Sequence, residues 1–419
     1  MTLADAIAAQ TPLVQRLLDG VATIGADPPG ITRDAYGPGE NQAQALIAEA
    51  GQALGMTAST DAGANLTLRW AAENPQAAPV LIGSHLDSIV QGGNFDGAAG
   101  VIAGIGAIAA LQAAGIRPRR DIEVLALRCE EAVWFGLGLI GSRCMLARLP
   151  PGALDLPHAR TGRTLAQSIG DCGGDPARLR EAAPLRDPRA IGAYLEVHIE
   201  QAPQLIEAGA PLAICLANPG NVRHPFIRIA GEDAHTGLPH RFRRDAALAG
   251  ADLSLALERL WLDEEAQGRP MAVTIGRFHT PAARHSLTAV SGEFELSLDL
   301  RAYRAEHLAA LEARLHAITA EVAVRRNVTI TLGERSAAAP GPMAPALIEG
   351  LAQAAQRCGI TAPRLNSPGS HDANNFAAAG VPTGMLLVRN QNGSHNPHEA
   401  MDTPDLMSAI HVLAEFLAD

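Results

Sequence analysis

Four short segments of the chain concentrate histidine and carboxylate side chains at the ends of apolar stretches. Imidazole nitrogens suit zinc, manganese, cobalt or nickel, and carboxylate oxygens suit harder cations. A mixed set without cysteine is typical of a catalytic divalent-metal site rather than a structural zinc site. The four segments therefore predict metal-assisted catalysis, if the fold brings them together. Their ionisable residues are His85, Asp87 and Asp96; Glu130 and Glu131; His198 and Glu200; and His395, His398 and Glu399.

Each of these patterns has an ordinary structural explanation when it is taken alone. A His-x-Asp pair can be a surface turn, adjacent glutamates are most often solvated, and a single histidine near a strand end is usually packed or hydrogen-bonded. Their joint occurrence in four segments favours the metal site. Neighbouring side chains on an extended stretch point to opposite sides. One of Glu130 and Glu131 could thus bind a metal while the other faces a water molecule.

The elements that must position these residues are short apolar strands that alternate with helices. We predict strands at 65–70, 79–85, 121–128 and 193–199, with a helix at 97–114. Near-continuous apolar strands alternating with helices favour an α/β fold, with a mostly parallel sheet covered by helices. Ligands bind outside the carboxyl ends of the strands in such sheets, which is where the four segments lie.

The middle of the chain has a different pattern, and we predict it to be a separate domain inserted at 214–333. Its strands alternate apolar and polar residues, as a sheet with one wet face should. The order β-α-β-β-α-β is that of a ferredoxin-like α+β unit. The larger catalytic domain would then comprise residues 1–213 and 334–419. The predicted elements of the insertion are strands at 225–231, 271–279, 292–302 and 327–332 and helices at 243–260 and 306–324.

Composition excludes several classes of protein. The chain has 419 residues, a net charge of −11 and 47% hydrophobic residues, so it is globular and suits neither nucleic acid nor anionic membranes. The five cysteines form no C-x-x-C pair, which favours a reducing compartment, and we expect the cytoplasm. The N-terminus is typical of an amphipathic helix rather than a signal peptide. The uncharged stretch 97–116 is rich in Ala and Gly, and we interpret it as a buried helix rather than a membrane span.

Longer motifs carry a resemblance to a known family. They are "GSHLDS…GGNFDG", "EEAVWF", "EVHIEQ", "AHTGLPHRFRRDA", "SPGSHDANNF" and "GSHNPHEAMD", and they extend from about residue 80 to 405. This set resembles the zinc-dependent amidohydrolase and carboxypeptidase superfamily. Within it, the sequence is most similar to the branch of N-carbamoyl-L-amino-acid hydrolases, β-ureidopropionases and allantoate amidohydrolases. "GGNFDG" and "HIEQ" are specific to that branch.

The resemblance implies a role for each residue of the site. Two divalent ions (Zn, Mn, Co or Ni) would be bound, with Asp96 bridging them. Asp87 would orient His85, Glu130 would be the general base that activates water, and His235 of the inserted domain would stabilise the oxyanion. The small domain would also form a homodimer, in which His235 reaches the partner's site. The other ligands would be His85 and His198 for one ion and Glu131 and His395 for the second.

The expected substrate is a small molecule with a carboxylate, an N-carbamoyl amino acid. Arg301 would clamp the carboxylate, since a guanidinium can bind it bidentately. Two positions that line the substrate pocket in relatives depart from the branch, because Asn221 replaces its usual Gln and His285 its usual Asn. Allantoate and a simple N-acyl amino acid are the alternative substrates.

Rival interpretations concern other classes of protein. "GLGLIG" at 136–141 matches the dinucleotide fingerprint G-x-G-x-x-G, but seven residues separate it from the preceding strand. An NAD-dependent oxidoreductase is therefore a remote alternative. A thiol nucleophile at Cys129 lacks a matched histidine, and a non-catalytic metal-binding homologue would be expected to have lost Glu130 or a ligand.

Overall fold

The computed structural model describes residues 1–72 and 78–418. These residues form two compact units, one made of Met1–Asn218 with Gly341–Asp419 and the other of Pro219–Pro340. The second unit begins and ends later than the sequence-based limits of 214 and 333. The reason at its start is that residues 212–215 form a strand of the large sheet in the first unit.

The first unit begins with a strand-and-helix series up to Asn218. Its strands are β1 (Ala26–Asp27), β2 (Gly30–Ile31), β3 (Thr57–Thr60), β4 (Leu66–Trp70), β5 (Val80–His85), β6 (Ile122–Leu127), β7 (Ala193–Ile199), β8 (Leu212–Cys215) and β9 (Ala217–Asn218). Its helices are α1 (Leu3–Ala9), α2 (Thr11–Thr23), α3 (Pro38–Ala53), α4 (Ala98–Ala113), α5 (Ile140–Met145), α6 (Leu165–Asp171), α7 (Pro176–Arg180) and α8 (Gln204–Ala208).

The second unit supplies the next elements. Its strands are β10 (Gly220–Ala230), β11 (Ala234–His235), β12 (Met271–Thr274), β13 (Phe278–His279), β14 (Ala289–Val290), β15 (Glu293–Ala302), β16 (Thr329–Thr331) and β17 (Ser336–Ala338), and its helices are α9 (Ala246–Ala266) and α10 (Ala305–Arg326). The chain then returns to the first unit with strands β18 (Gly341–Pro342), β19 (Arg364–Leu365) and β20 (Thr383–Val388) and helices α11 (Pro345–Arg357), α12 (Ala373–Ala378) and α13 (Thr403–Ala418).

An eight-stranded sheet organises the first unit in the order β19-β8-β20-β7-β5-β6-β4-β3. The pairs β19–β8, β20–β7, β7–β5 and β5–β6 are parallel, and the other three are antiparallel. The sheet is therefore mixed, although the run β20-β7-β5-β6 at its centre is parallel as expected. The α/β class predicted from the sequence is confirmed.

Helix α4 forms most of the uncharged stretch 97–116, and it packs on the sheet. Its residues from Ala98 to Leu111 are all buried. A Cβ at Gly100 would lie 2.0 Å from the carbonyl oxygen of Val197 on β7, so the helix backbone rests almost directly on the strand. In the part of the chain that the structure describes, we find no helix with the length and apolarity that crossing a membrane requires.

The N-terminal amphipathic segment forms two helices rather than one. Helix α1 ends at Ala9, and Pro12 lies in the first turn of α2. Proline is tolerated at such a start because its missing N–H would have no partner within the helix there.

The second unit has a six-stranded antiparallel sheet. Its main strand order is β12-β15-β10-β16, and β13 pairs with β15 and β17 with β10. Helices α9 and α10 pack their buried leucines, such as Leu253 and Leu315, on one face. Along β15, buried and partly exposed residues alternate without exception. This is the one-sided sheet that the alternating sequence pattern predicts, with the strand order of a ferredoxin-like βαββαβ unit.

Candidate metal centre and catalytic site

The predicted ligands come from neighbouring parallel strands of the large sheet. His85 is the last residue of β5, His198 lies near the end of β7, Glu130 and Glu131 follow β6, and His395 follows β20. Because these four strands run parallel and side by side, their carboxyl ends meet at one edge of the sheet. Asp96 enters the same place from the loop before α4.

One group of ligands consists of His85, His198 and Asp96. Nε2 of His198 lies 3.0 Å from Oδ1 of Asp96, and Nε2 of His85 lies 3.4 Å from the same oxygen. Candidate ligand atoms of the three residues all lie within 4.8 Å of one another, and all three side chains are buried. A glycine is required next to Asp96, because a Cβ at Gly97 would lie 2.5 Å from the His85 ring.

A second group shares Asp96 and adds Glu131 and His395. Nε2 of His395 lies 3.3 Å from Oε1 of Glu131 and 3.6 Å from Oδ2 of Asp96. The two oxygens of Asp96 thus face different histidines. The hydrogen bond to Glu131 raises the pKa of the half-exposed His395 ring to about 9, against the opposing effect of burial.

The hydrogen bonds of His85 and His198 show which ring nitrogen carries a proton and which one faces Asp96. Nδ1 of His198 lies 2.9 Å from the carbonyl oxygen of Ile199, and Nδ1 of His85 lies 3.1 Å from that of Asp87. Each Nδ1 therefore carries a proton, and each Nε2 faces Asp96, where it can hold either a second proton or a metal ion. Two electron-pair donors face to face repel unless a cation lies between them.

The close packing of histidines and carboxylates shifts the pKa values of these groups. Burial opposes protonation of His85, but its contacts with Asp87 and Asp96 outweigh burial and raise the pKa of the ring well above its usual value. Burial likewise raises the pKa of Asp96, but His198 and His85 outweigh it and hold that pKa well below its usual range. Nε2 of His85 is buried and has no hydrogen-bond partner among the described residues. The donor set therefore fits divalent cations.

Asp87 connects the loop after β5 to the turn after β6. Its Oδ1 lies 3.3 Å from Nδ1 of His85. The same carboxylate accepts hydrogen bonds from the backbone N–H groups of Glu130, at 3.0 Å, and Glu131, at 3.1 Å. The carboxylate thus orients one candidate ligand and positions the main chain of Glu130 and Glu131.

Glu130 lies beside the ligands without being part of either group. Burial raises the pKa of its carboxyl well above the usual value, His85 opposes that rise and Glu131 adds to it. The Glu130 side chain has no hydrogen bond or ion pair with any residue that the structure describes. It is thus an uncommitted carboxylate next to a candidate metal centre, which is the arrangement that a general base needs.

Three neighbours of Asp96 were not assigned a role from the sequence. Gln201 donates to Oδ2 of Asp96 at 2.9 Å, and Ser394 donates to the same oxygen at 2.5 Å and to Glu399 at 2.7 Å. Glu399 accepts from the backbone N–H groups of Phe95 and Asp96, and burial, followed by Asp96, raises its pKa to about 7. The sequence signal that could have identified these residues was their position in the motifs: Gln201 lies in "HIEQ", and Ser394 and Glu399 lie in "GSHNPHE".

His371 and Arg33 also lie near the centre and were missed. The His371 ring centroid is 4.1 Å from that of His198, and burial, with His198, lowers the pKa of His371 well below its usual value. Arg33 is buried and donates to the carbonyl oxygen of Leu86 at 2.7 Å and to Oδ1 of Asn94 at 3.0 Å. It thus fastens both ends of the loop between His85 and Asp96.

Two ionisable residues of the four segments have other surroundings. Glu200 is buried and accepts a hydrogen bond from the backbone N–H of Leu205 in α8 at 2.8 Å. His398 is exposed, and its backbone N–H donates to Asn396. Neither belongs to the two ligand groups.

The remaining predicted residues belong to the second unit. His235 is exposed on β11, and its Nδ1 accepts the N–H of Gly237 at 3.1 Å, so its neutral ring carries the proton on Nε2. His285 is exposed and pairs its Nε2 with the carbonyl oxygen of Thr280. Asn221 on β10 and Arg301 on β15 are direct partners across the sheet, and Arg301 forms an ion pair with Asp299 at 3.0 Å. The roles of these four residues stay predictions.

The "GLGLIG" segment is not arranged to receive a dinucleotide. The N–H groups of Leu139, Ile140 and Gly141 donate to the carbonyl oxygens of Glu130, Cys129 and Arg128. Amides that are already paired within the protein cannot cradle a pyrophosphate in the way that the fingerprint requires.

Fold and site together define the class of the protein, an α/β protein with a candidate two-cation centre at the carboxyl edge of its sheet. Comparisons with known proteins give the family. The profile of Peptidase family M20/M25/M40 matches residues 81–419, and the chain belongs to this family. The branch predicted from the sequence motifs is confirmed by the relatives that follow.

The relatives are similar over nearly their whole length. The chain is 35% identical over 405 residues to an N-carbamoyl-L-amino acid amidohydrolase of Geobacillus stearothermophilus, covering 96% of each chain. It is 29% identical to the allantoate amidohydrolase of Escherichia coli strain K12, again covering 96% of each. The crystal structure of a hydantoinase/carbamoylase family amidase from Burkholderia ambifaria superposes with a TM-score of 0.84, 31% identity and coverage of 97% of this chain and 96% of that chain.

Proposed function

We propose that this protein is a two-metal amidohydrolase that cleaves the C–N bond of an N-carbamoyl amino acid. The observation that carries the proposal is the pair of ligand groups that share Asp96, with the uncommitted Glu130 beside them. The names of the relatives support a ureido substrate, since both carbamoyl amino acids and allantoate contain that group.

The ligand sets of the two proposed ions follow from the two groups. His85 and His198 would hold one ion, Glu131 and His395 the other, and Asp96 would contribute one oxygen to each. When bound, the ions would supply the positive charge that polarises the substrate carbonyl and lowers the pKa of water. Zinc, manganese, cobalt and nickel all suit this mixture of imidazole and carboxylate ligands.

The side chains of this protein would manage the protons of the reaction. Glu130 takes a proton from the attacking water, and the water oxygen bonds to the ureido carbon. Glu130 then passes the proton to the departing amino-acid nitrogen as the C–N bond breaks. The carbamate that is released decomposes to ammonia and carbon dioxide. His235, whose proton is on Nε2, is suited to donate to the developing oxyanion.

Arg301 is the proposed clamp for the substrate carboxylate. Its guanidinium is shared with Asp299, which also pairs with Arg223. Asp299 thus holds both guanidinium groups on one sheet, and a guanidinium can bind a substrate carboxylate bidentately. Asn221 lies directly across the strand pair from Arg301 and would shape the same pocket, together with His285. Allantoate and N-acyl amino acids remain the alternative substrates.

A substrate panel tests the proposal. The protein is assayed with manganese, zinc and cobalt against N-carbamoyl amino acids of both hands, β-ureidopropionate, allantoate, N-formyl and N-acetyl amino acids, and dipeptides. We expect the highest kcat/KM with an N-carbamoyl amino acid. Turnover of dipeptides alone would refute the ureido proposal and leave the metal mechanism standing.

We also propose a homodimer through the second unit. Helix α9 exposes three leucines at intervals of seven residues, and such a spacing places side chains on one face of a helix. Leu248, Leu255 and Leu262 are 41%, 51% and 60% exposed. Strand β12 beside this helix is an edge of its sheet, and an edge strand offers unpaired main-chain groups.

The proposed location is the cytoplasm, which the five free cysteine thiols support.

A further inference from the structure

The turn that carries Glu130 and Glu131 has an unusual backbone. Cys129, just before the two glutamates, has a φ of 52°. Left-handed backbone is costly for a residue with a side chain, and it persists only where surrounding structure holds it. The surroundings of this turn therefore show what fixes the two glutamates.

Buried carboxylates hold the amide side of the turn. Oε1 of Glu40 accepts the N–H of Cys129 at 3.1 Å, and Asp87 accepts the N–H groups of Glu130 and Glu131. Glu40 is completely buried in the first turn of α3. Its Oε2 also accepts from the N–H of Tyr36 at 2.6 Å and from Nη1 of Arg128 at 2.8 Å.

A glycine loop holds the carbonyl side of the turn. The carbonyl oxygens of Arg128, Cys129 and Glu130 accept, in that order, from the N–H groups of Gly141, Ile140 and Leu139 at 2.7, 2.9 and 2.9 Å. The loop is itself fastened by Ser142. The Ser142 hydroxyl donates to Asp372 at 2.5 Å and accepts from the Asn375 amide at 2.8 Å.

Two glycines of this loop approach the turn closely. A Cβ at Gly138 would lie 2.7 Å from the carbonyl oxygen of Glu130, and a Cβ at Gly141 would lie 2.5 Å from the backbone nitrogen of Arg128. Backbone atoms cannot rotate away as a flexible side chain can. A side chain at Gly138 would therefore displace the peptide that links Glu130 to Glu131.

We propose that Glu40 and the Gly138–Gly141 loop are positioning residues, which clamp the turn Arg128–Glu131 from both sides and so place Glu130 and Glu131. The proposal deepens the proposed function, because it assigns to the "GLGLIG" segment the placing of the general base and of one metal ligand. Backbone misplacement by about 1 Å can cost on the order of 10²-fold in rate. The clamp would therefore affect turnover and metal affinity more than substrate binding.

The variant Gly138→Ala tests the proposal, with Gly170→Ala as its matched control. Neither glycine has a positive φ, and the nearest atom to a Cβ at Gly170, in helix α6, is 3.9 Å away. Protein stripped with a chelator is titrated with Mn²⁺ by calorimetry, and kcat and KM for N-carbamoyl-L-alanine are measured at saturating Mn²⁺. We expect Gly138→Ala to lower kcat about 10- to 100-fold, to change KM less than about threefold and to weaken Mn²⁺ binding, while Gly170→Ala resembles the parent.

The variant Glu40→Gln provides a second test if Gly138→Ala does not fold. Glutamine keeps the shape of the side chain, but its single oxygen cannot accept all three hydrogen bonds of the carboxylate. We expect the same loss of kcat and of Mn²⁺ affinity, in a smaller amount. A folded Glu40→Gln or Gly138→Ala protein with parental kcat and Mn²⁺ affinity would overturn the proposal, as would a variant that loses only thermal stability.

The outcomes also separate the clamp from the proposed function. If the protein hydrolyses no ureido compound, the Mn²⁺ titration still decides whether the clamp places Glu131. If Glu130→Gln stays active while Gly138→Ala binds Mn²⁺ weakly, the assigned base is wrong and the clamp still holds the metal ligand.

Discussion

The two carboxylates Asp96 and Glu130 differ in how many hydrogen-bond and ion-pair partners the fold gives them. Asp96 is shared by five partners, two buried histidines, the His395 ring, Gln201 and Ser394. Glu130, whose pKa responds to His85, Glu131 and Asp96, has no hydrogen-bond or ion-pair partner for its side chain among the described residues. A carboxylate held in place by several partners is suited to bind cations, whereas a carboxylate without a hydrogen-bond partner is suited to accept a proton.

The variant Glu130→Gln tests the role of the base. It removes the proton acceptor and leaves the two ligand groups intact, so we expect bound metal to be unchanged. General-base catalysis is worth about 10²- to 10⁴-fold, and kcat should fall in that range. Steady-state kinetics combined with elemental analysis provides the measurement, and an active variant would show that another carboxylate is the base.

The variant Asp96→Asn has the opposite expected outcome for the metal. An amide presents one oxygen and no charge, so it cannot supply an anionic oxygen to each group. We expect this variant to lose both ions during dialysis, whereas the parent protein retains about two transition-metal ions per chain. Elemental analysis of dialysed protein checks this, and an Asp96→Asn variant that keeps two ions would remove Asp96 from the bridging position.

Among the secondary-structure elements, helix α4 shows how a small residue lets a helix pack close to the strands that carry the candidate ligands. The helix starts two residues after Asp96 and lies on strands β5 and β7, which carry the two buried histidines. Because Gly100 touches the backbone of β7, the distance between Asp96 and His198 depends on the absence of a side chain at that position.

The pair Gly100→Ala and Gly106→Ala measures this dependence. At Gly106 a Cβ would meet side-chain atoms of Ile410 and Val14 at 3.0 and 3.1 Å, and side chains can move. Overpacking against backbone costs typically about 1–3 kcal/mol. We expect a loss of unfolding free energy near the upper end of that range for Gly100→Ala and a smaller one for Gly106→Ala. Urea denaturation of both variants provides the comparison, and equal losses would contradict the close contact of α4 with β7.

At the scale of the whole molecule, the leucine face of α9 predicts association. We expect Leu255→Glu to shift the protein from dimer to monomer, because three leucines on one helix face would otherwise be covered by a second copy. Val324→Glu on α10 is the matched control, since Val324 is 83% exposed and lies outside this face. Sedimentation velocity measures both variants, and a monomeric parent protein would end the proposal.

Subunit mixing tests whether His235 acts across the proposed dimer. A His235→Ala subunit keeps Glu130 and both ligand groups, and a Glu130→Gln subunit keeps His235. We expect each variant alone to be nearly inactive and the mixed dimer to recover part of the activity at one of its two sites. Activity that does not rise after mixing and reassembly would place His235 within its own subunit's reaction.

The sequence alone predicted the candidate ligand residues and most of the order of the elements. Ligand types, the spacing of His85 from Asp87 and the alternation along β15 are local properties, because side-chain chemistry and strand or helix periodicity act over a few residues. The same local signals predicted the α/β class and the βαββαβ pattern of the second unit. They also predicted one N-terminal helix, where Pro12 starts a second one.

Only the tertiary structure decided which distant segments meet. Strand β4 runs antiparallel to β6, and β8 runs antiparallel to β20. Glu40 accepts the N–H of Cys129 from 89 residues away. Each of these features depends on packing between remote parts of the chain. No periodicity records such contacts, because their free energy arises only when both partners are buried together. The left-handed backbone at Cys129 is held by such long-range contacts. The resemblance of its motif predicted Asp96 as a ligand, but its place between the two buried histidines and His395 exists only in the folded chain.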